Sequence, residues 1–332
     1  MTKMLLPLAL MAFIGCNAPT DLKTIGSIEQ LDTSLEKIIA PGATIDIISE
    51  GYDWTEGPVW VESENMLLFS DIPPNKIMKW TEAKGAELYL SPSGYTGQAP
   101  RTGEPGSNGL VINKEGKLVL CQHGDRRMAV MNAPLNAPKP DFTSLADNYK
   151  GQKFNSPNDA VFRSNGDLFF TDPPYGLEKN IDYPLKELPY QGVFNVNPAG
   201  QVQLLTYSLT RPNGIAFTND EKTLIVANSD PDKNGWYMFD IGANDSLYNE
   251  RMLYNATEDG KKEGGGADGL KLDKAGNIFA TGPGGVWIFN KEGEVIGKIK
   301  VPAACSNVAL ANDDKILYIT ADMYVLRVVM RK

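Results

Sequence analysis

Short apolar runs, separated by turns rich in Asp, Asn, Gly and Lys, recur along most of the chain. In a typical unit one apolar run, a polar turn and a second apolar run follow each other, as in LVINKEGKLVLC and AVFRSNGDLFFTD. Alternating or wholly apolar runs joined by such turns predict antiparallel β-hairpins rather than helices. The 32 glycines and 22 prolines add frequent breaks, which favours many short strands.

A polar residue opens each of these units, and the sequence contains six copies. The copies are TEGPVWVESENMLLFSD, SNGLVINKEGKLVLCQH, PNDAVFRSNGDLFFTDP, PNGIAFTNDEKTLIVANS, ADGLKLDKAGNIFATGP and SNVALANDDKILYITAD. Their polar residues, called markers below, are Glu56, Asn108, Asn158, Asn213, Asp268 and Asn307. The markers recur roughly every 40 to 55 residues, a period typical of β-propeller blades. Later runs such as KIMKWT and QVQLLT fit the third and fourth strands of a blade.

The last copy leaves room for only about three strands before the chain ends, so the sixth blade lacks its outer strand. A spare strand, TIDIISE at residues 44–50, precedes the first marker. Pairing it with the C-terminal strands would close the ring and remove open sheet edges. The sequence therefore predicts an all-β fold, a six-bladed β-propeller with an N-terminal strand closing the last blade. A β-sandwich or a two-domain all-β protein would explain the strands but not the period.

The markers are expected to meet, because the innermost strands of a propeller all line one central channel. Glu56, Asn158, Asn213 and Asp268 would bring carboxylate and amide oxygens together, the hard donors that suit calcium, magnesium or manganese. Two buried carboxylates without a cation would repel each other. Each marker alone could be a turn residue, but their common register favours a metal site.

The two remaining markers, Asn108 and Asn307, occupy equivalent positions in their copies. They are expected either to hydrogen-bond a substrate or to satisfy backbone groups at the channel. The formal net charge of −9 and the absence of a Lys/Arg stripe argue against a nucleic-acid partner.

The single histidine, His123, excludes a multi-histidine metal site, and no CxxC zinc pattern is present. His123 ends a strand in CQHG and has an ordinary pKa near neutrality, so it is a candidate auxiliary acid or base; the alternative is a structural histidine. Tyr175, in DPPYG, either lines the pocket or belongs to a rigid loop. Cys121 and Cys305 lie in apolar runs. They are expected either to form a disulfide or to be two buried free thiols.

The first residues resemble an export signal: a lysine, an apolar run from 4 to 14 and then Gly15-Cys16. The run FIGC resembles a bacterial lipobox, so residues 1–16 are predicted to be a lipoprotein signal ending at Cys16. Residues 17–40 would then be a tether and residues 41–332 the propeller. The protein would be exported and lipid-anchored in the bacterial cell envelope, contacting the membrane only through Cys16. The alternatives are an ordinary cleaved signal or a buried N-terminal strand.

Several motifs together resemble the gluconolactonase and regucalcin-like family of six-bladed propellers; paraoxonases and diisopropyl fluorophosphatase look like more distant relatives. The motifs are EGPVW at 56–60, LLFSDIP at 67–73, NSPND at 155–159, TDPPYG at 171–176, RPNG at 211–214 and ADGL at 267–270. The resemblance implies one divalent cation, calcium foremost, with magnesium, manganese or zinc as alternatives. Its ligands would be Glu56, Asn158, Asn213 and Asp268. The regucalcin branch has an arginine where this chain has Ser156, so that branch's sugar recognition is not expected here.

The resemblance further implies hydrolysis of a sugar lactone such as gluconolactone, by metal-assisted attack of water on the carbonyl. Asp268 would act as ligand and base, or the metal itself would activate the water. His123 would assist, and Asn108, Asn158, Tyr175 and Asn307 would contact the substrate. One alternative is an esterase or organophosphate hydrolase at the same site. The other is a non-catalytic propeller that binds a glycan or protein at the cell envelope.

Overall fold

The fold, in a computed structural model that describes residues 22–331, consists of antiparallel sheets arranged as six blades. The N-terminal part supplies β1 (Ser27–Gln30), a 3-10 helix (Thr33–Lys37) and β2 (Ile45–Glu50). Blade one consists of β3 (Thr55–Val61), β4 (Met66–Asp71), β5 (Lys76–Thr81) and β6 (Gly85–Leu90), with a 3-10 turn (Glu62–Glu64). Blade two consists of β7 (Ser107–Ile112), β8 (Leu118–Gln122), β9 (Arg127–Met131) and β10 (Phe142–Ala146). A small hairpin, β11 (Asn148–Tyr149) and β12 (Gln152–Lys153), follows.

The second half of the chain continues the same order. Blade three consists of β13 (Ala160–Phe162), β14 (Leu168–Asp172), β15 (Gly192–Val196) and β16 (Val202–Thr206), with a 3-10 turn (Asn180–Asp182). Blade four consists of β17 (Pro212–Phe217), β18 (Thr223–Asn228), β19 (Gly235–Ile241) and β20 (Leu247–Asn255), with a 3-10 turn (Ala243–Asp245). The helix α1 (Thr257–Glu263) precedes blade five, which consists of β21 (Leu270–Leu272), β22 (Ile278–Gly282), β23 (Gly285–Phe289) and β24 (Val295–Lys300). Blade six has β25 (Cys305–Ala311), β26 (Ile316–Ala321) and β27 (Tyr324–Val329).

Local turn chemistry explains why the hairpins form where they do. In four of the turns, an Asn or Asp side-chain oxygen accepts backbone N–H groups two and four residues further along the chain, which closes the turn without help from the rest of the fold. These residues are Asn113, Asn197, Asp273 and Asn290, with distances between 2.8 and 3.1 Å.

The ring closes as predicted, because β2 pairs antiparallel with β27 and completes blade six. The segment before β2 departs from the predicted tether. Within the described residues, β1 pairs with β24 as a fifth strand of blade five. Leu35, Ile38 and Ile39 are buried in the cluster that also contains Val308 and Leu326. The apolar side chains of this segment bury area against the blades, which a free tether would leave in water.

The core lies between adjacent blades as a series of separate apolar clusters. Cys121 belongs to the cluster between blades two and three, and Cys305 to the cluster that joins blades five and six. Both thiols are buried and free, so of the two alternatives the structure has two separate thiols. No helix within residues 22–331 is long and apolar enough to cross a bilayer. The lipobox predicted at Cys16 lies outside the described residues.

Candidate active site

Buried acid or amide side chains hold the backbone just before three of the markers. Each of these side chains ends the second strand of its own blade and accepts backbone N–H groups two or three residues before the marker. The contacts are Asp71 to Asp53 and Trp54 (3.0 and 3.2 Å), Asp172 to Asn155 and Ser156 (both 2.8 Å), and Asn228 to Arg211 (2.7 Å). The prolines at 157 and 212 therefore act together with these contacts in fixing the approach to the channel.

The markers are neighbours around the channel, in the order of their blades. The carbonyl oxygen of Asn158 accepts the N–H of Gly109, the residue after the second marker, at 2.7 Å. A Cβ at Gly214 would lie 2.2 Å from the carbonyl oxygen of Asp268, and a Cβ at Gly269 would lie 2.0 Å from Cγ of Asn307. Glycine is favoured at both positions, because a side chain would meet a backbone carbonyl at Gly214 and the buried side chain of Asn307 at Gly269. The predicted convergence of the markers is therefore present in the structure.

Glu56 and Asp268 are the two carboxylates of this ring. Glu56 is 2% exposed, and its Oε2 accepts the N–H of Gly57 at 2.7 Å. Burial raises the pKa of Glu56 to about 8, with a further rise from the charge of Asp159. The pKa of Asp268 is raised well above its usual range by burial and then by the charge of Glu56. Its buried Oδ1 has no hydrogen-bond partner within the described residues.

These features fit a divalent cation. An orphaned carboxylate oxygen at Asp268 and a second buried carboxylate at Glu56 both lack the positive charge that would offset their burial. Asn213 uses its Nδ2 to donate to Ser229 Oγ at 3.0 Å, which leaves its amide oxygen for another partner. No group of three or more His, Cys, Asp or Glu side chains with metal-site spacing occurs in the described ranges. A site here would therefore need amide oxygens from the markers.

Asp159 stands where four of the other copies have glycine after the marker, and it carries a carboxylate into the channel. Its Oδ1 accepts the N–H of Ala160 at 2.8 Å, and its Oδ2 lies 3.4 Å from Lys271 Nζ. Asn307 Nδ2 lies 3.3 Å from the same Oδ2 and 3.4 Å from Glu56 Oε2. Because its amide group already bridges two carboxylates, Asn307 is better placed to orient Glu56 than to bind substrate as predicted.

Asn108 is 3% exposed, and its buried Oδ1 has no hydrogen-bond partner in the part of the chain described here. Tyr175 lies close to Asp268, whose charge helps to raise the tyrosine pKa after burial, and it also interacts with Ser229 and Arg211. The structure thus brings Tyr175 close to Asp268, and it brings the backbones that follow Asn108 and carry Asn158 into contact through Gly109.

His123 is fully buried, and neither ring nitrogen has a hydrogen-bond partner among residues 22–331. Burial lowers the pKa of His123 to about 3, helped by the charge of Arg101. This differs from the expectation of a group titrating near neutrality, because a buried imidazole loses the solvation that its charged form needs. His123 nevertheless borders the site, since a Cβ at Gly176, next to Tyr175, would lie 2.4 Å from its Cγ.

A cavity of about 540 Å³ opens beside Asp268. Its walls include Trp54 from the approach to blade one, Glu263 at the end of α1, the glycine run 264–266 and Cys305. The volume falls within the range of small-molecule sites in proteins. The mouth of the channel therefore has both polar ligands at its centre and room beside them for an organic substrate.

Sequence reasoning missed three charged residues of the site, namely Asp159 as a channel carboxylate, Lys271 and Glu104. The signal for Asp159 was its replacement of glycine in an otherwise regular repeat. Lys271 lies three residues after a marker and reaches the channel from β21. Glu104 gave no repeat signal, because it lies in the loop between blades one and two.

These features define a class of protein, namely a six-bladed propeller with a buried site of carboxylate and amide groups at one mouth of its channel. The model of the SMP-30/Gluconolactonase/LRE-like region matches residues 54–322, and the chain belongs to that family. The chain is 37% identical over 311 residues to a gluconolactonase of Zymomonas mobilis, covering 92% of this chain and 86% of that protein. The alignment with this relative is longer than the stretch that the family model matches.

Solved structures show the same fold. A gluconolactonase of Xanthomonas campestris has a TM-score of 0.78 at 24% identity, covering 93% of this chain and 97% of its own. A calcium-binding protein, regucalcin, from Agrobacterium tumefaciens has a TM-score of 0.65 at 16% identity, covering 86% and 93%. At these identities the likeness concerns the propeller alone.

Proposed function

We propose that this protein is a gluconolactonase-like lactone hydrolase that opens a sugar lactone such as gluconolactone. The observation that carries the proposal is the convergence of Glu56, Asn158, Asn213 and Asp268 at one channel mouth, next to a substrate-sized cavity. Family membership and the similarity to the Zymomonas gluconolactonase support the same activity. Hydrolysis of an ester bond needs a positioned water and stabilisation of the oxyanion, and the polar ring is arranged for such chemistry.

The proposed cofactor is a divalent cation, calcium in the first place, because the donors are carboxylate and amide oxygens. Glu56, Asn158, Asn213 and Asp268 would hold it. When bound, the cation would polarise the lactone carbonyl and offset the negative charge that develops on its oxygen.

The side chains of the protein would supply position and proton transfer. Asp268 has a buried oxygen free of internal hydrogen bonds, so it can accept a hydrogen bond from an attacking water as well as bind the cation. Asn108 would offer its free amide oxygen to a substrate hydroxyl. Tyr175 would close the side of the site next to Asp268. Asn307 would keep Glu56 oriented through the contact between its Nδ2 and Glu56 Oε2.

The test is a substrate panel on the purified chain with defined metals. Gluconolactone, a simple aliphatic lactone, an aryl ester and a phosphotriester are assayed with calcium, with magnesium, manganese or zinc, and after exhaustive chelation. We expect the highest kcat/KM on the sugar lactone, loss of turnover on chelation and recovery when metal is returned. A preference for phosphotriesters would favour the organophosphate alternative. Full lactone turnover after chelation would refute the role of the cation.

We also propose that the chain is exported and anchored through a lipid on Cys16. The support is the order of lysine, apolar run and Gly15-Cys16 in the sequence. The propeller would then act on lactones at the cell envelope rather than inside the cell.

A further inference from the structure

We propose that Glu104 is a catalytic residue, the general acid that gives a proton to the ring oxygen of the lactone as the ring opens. The inference rests on the proposed lactone hydrolysis and assigns a role in it to a loop carboxyl outside the marker ring. Glu104 lies between blades one and two, in the loop that connects β6 to β7.

The backbone around Glu104 is fixed on both sides. Downstream, Gly106 donates to the carbonyl of Ile72 at 3.0 Å, and Gly124 donates to the carbonyl of Pro105 at 3.2 Å. Upstream, Thr102 N lies 3.2 Å from Glu178 Oε1. These contacts hold the backbone that carries the side chain, which contributes to the preorganisation that a general acid requires.

Arg101 adds a second anchor just upstream. Its guanidinium donates to the carbonyl of Gly124 and, at 2.6 Å, to the carbonyl of Gly176. These two carbonyls belong to the segments that carry His123 and Tyr175, so the loop with Glu104 is tied to two residues of the site. These hydrogen bonds therefore hold the loop that carries Glu104 in a defined position relative to the channel mouth.

The carboxyl of Glu104, by contrast, is uncommitted. Its one polar contact with another described side chain is with His123, whose Nδ1 lies 3.6 Å from Oε2. The side chain is 35% exposed, so it remains open to a molecule entering the mouth. Because His123 is buried without any hydrogen-bond partner, it offers Glu104 a neutral neighbour that can accept or donate one hydrogen bond without competing for the charge.

Glu104 also lies within electrostatic reach of the marker ring. Its negative charge helps to raise the pKa of both Glu56 and Asp268. The titratable and charged groups around it are therefore these two carboxyls, His123 and, beyond the histidine, Arg101. Glu178 also faces this loop, through its contact with Thr102. The partly buried position of Glu104 raises its own pKa to about 7, so near neutral pH a sizeable fraction carries the proton that a general acid must give.

Asp268 belongs to blade five and His123 to blade two, three blades apart in a ring of six. A lactone between them would have its carbonyl near the marker ring and its ring oxygen toward Glu104. Water that is hydrogen-bonded to Asp268 attacks the carbonyl carbon and loses a proton, which passes to solvent. The bond from that carbon to the ring oxygen breaks, the oxygen takes the electron pair, and the Glu104 proton converts it to a hydroxyl. Solvent then reprotonates Glu104, and the products are a hydroxy acid and the unchanged enzyme.

The test uses two leaving groups of different basicity. An aliphatic lactone releases an alkoxide, which needs a proton as it leaves, whereas dihydrocoumarin releases a phenoxide of pKa about 10, which does not. We expect Glu104→Gln to lower kcat/KM for the aliphatic lactone by roughly 100-fold or more, the usual contribution of a general acid. The loss on dihydrocoumarin should be several-fold at most. Glu104→Asp should retain the acid and show a smaller difference between the substrates.

The matched control is Glu178→Gln, which removes a carboxylate from the same loop contact while leaving Glu104 in place. It should affect both substrates equally and mildly. Equal losses on both lactones in Glu104→Gln, or no loss, would overturn the assignment even if the wild type is active. A wild type inactive on both lactones would instead overturn the proposed function, and the inference with it.

Discussion

Replacing Glu56 with glutamine should stabilise the metal-free protein and remove its response to calcium. Glu56 is 2% exposed, and burial raises its pKa from the ordinary 4.5 to about 8. At pH 7 folding of the metal-free protein therefore requires Glu56 to take up a proton. With about 1.4 kcal/mol per pKa unit, this costs roughly 3 kcal/mol of folding free energy. Glutamine needs no proton, and its amide oxygen can still accept the N–H of Gly57.

The pH dependence follows from the direction of the shift. Because the folded pKa is raised above the unfolded value, the wild-type contribution is fully present below pH 4.5 and is lost as the pH rises through about 8. The metal-free variant should therefore match the wild type near pH 4.5 and exceed it increasingly up to pH 8. Calcium needs the ionised carboxylate, so it should stabilise the wild type by about 2.7 kcal/mol at 100 times its Kd, and the variant far less.

The assay is urea denaturation and thermal melting of both proteins between pH 5 and pH 8, with chelator and with calcium. The control is Glu115→Gln, which changes an exposed carboxylate in the β7–β8 turn and should leave both the slope and the calcium response unchanged. A metal-free Glu56→Gln protein that is less stable than wild type at pH 7 would refute the reasoning. So would a calcium response equal to that of the wild type.

Three further outcomes are expected. Asp268→Asn should reduce lactone turnover at least 100-fold while circular dichroism and the melting profile keep the features of a folded propeller; wild-type rates would contradict its role. Asp172→Ala should lower the free energy of unfolding by about 1–3 kcal/mol, measured with urea, because two buried N–H groups lose their acceptor; an unchanged midpoint would argue against the contact. Cys16→Ser should abolish incorporation of labelled fatty acid and release the protein from the membrane fraction, whereas persistent labelling would exclude Cys16 as the anchor.

The propeller itself could be predicted because its information is local and repeated. Turns such as those at Asn113 and Asn290 close on their own side chains, so each hairpin is specified within a few residues. Repetition then places equivalent residues at equivalent positions of the ring. For the same reason the convergence of Glu56 and Asp268 followed from the register alone.

Features that depend on contacts between distant segments were predicted less well. Residues 17–40 were expected to be a tether, but the strand β1 within them pairs with β24 near the other end of the chain. His123 was chosen for an ordinary pKa, which burial lowers to about 3. Asn307 was expected either to contact a substrate or to satisfy backbone groups, and its amide accepts the N–H of Val308 and also bridges Glu56 and Asp159. In each case neighbours remote in sequence decide the result.

The sequence by itself determined the strands, the turns, the number of blades and the ring of markers, because hydrophobic period and turn chemistry act over short distances. Only the tertiary structure decided which polar groups are paired and which are left free. The unpartnered oxygen of Asp268, the bridging amide of Asn307 and the placement of Glu104 beside His123 all depend on the packing of separate blades. Solvation and electrostatic interactions are set by that packing, and they determine the chemistry of the site.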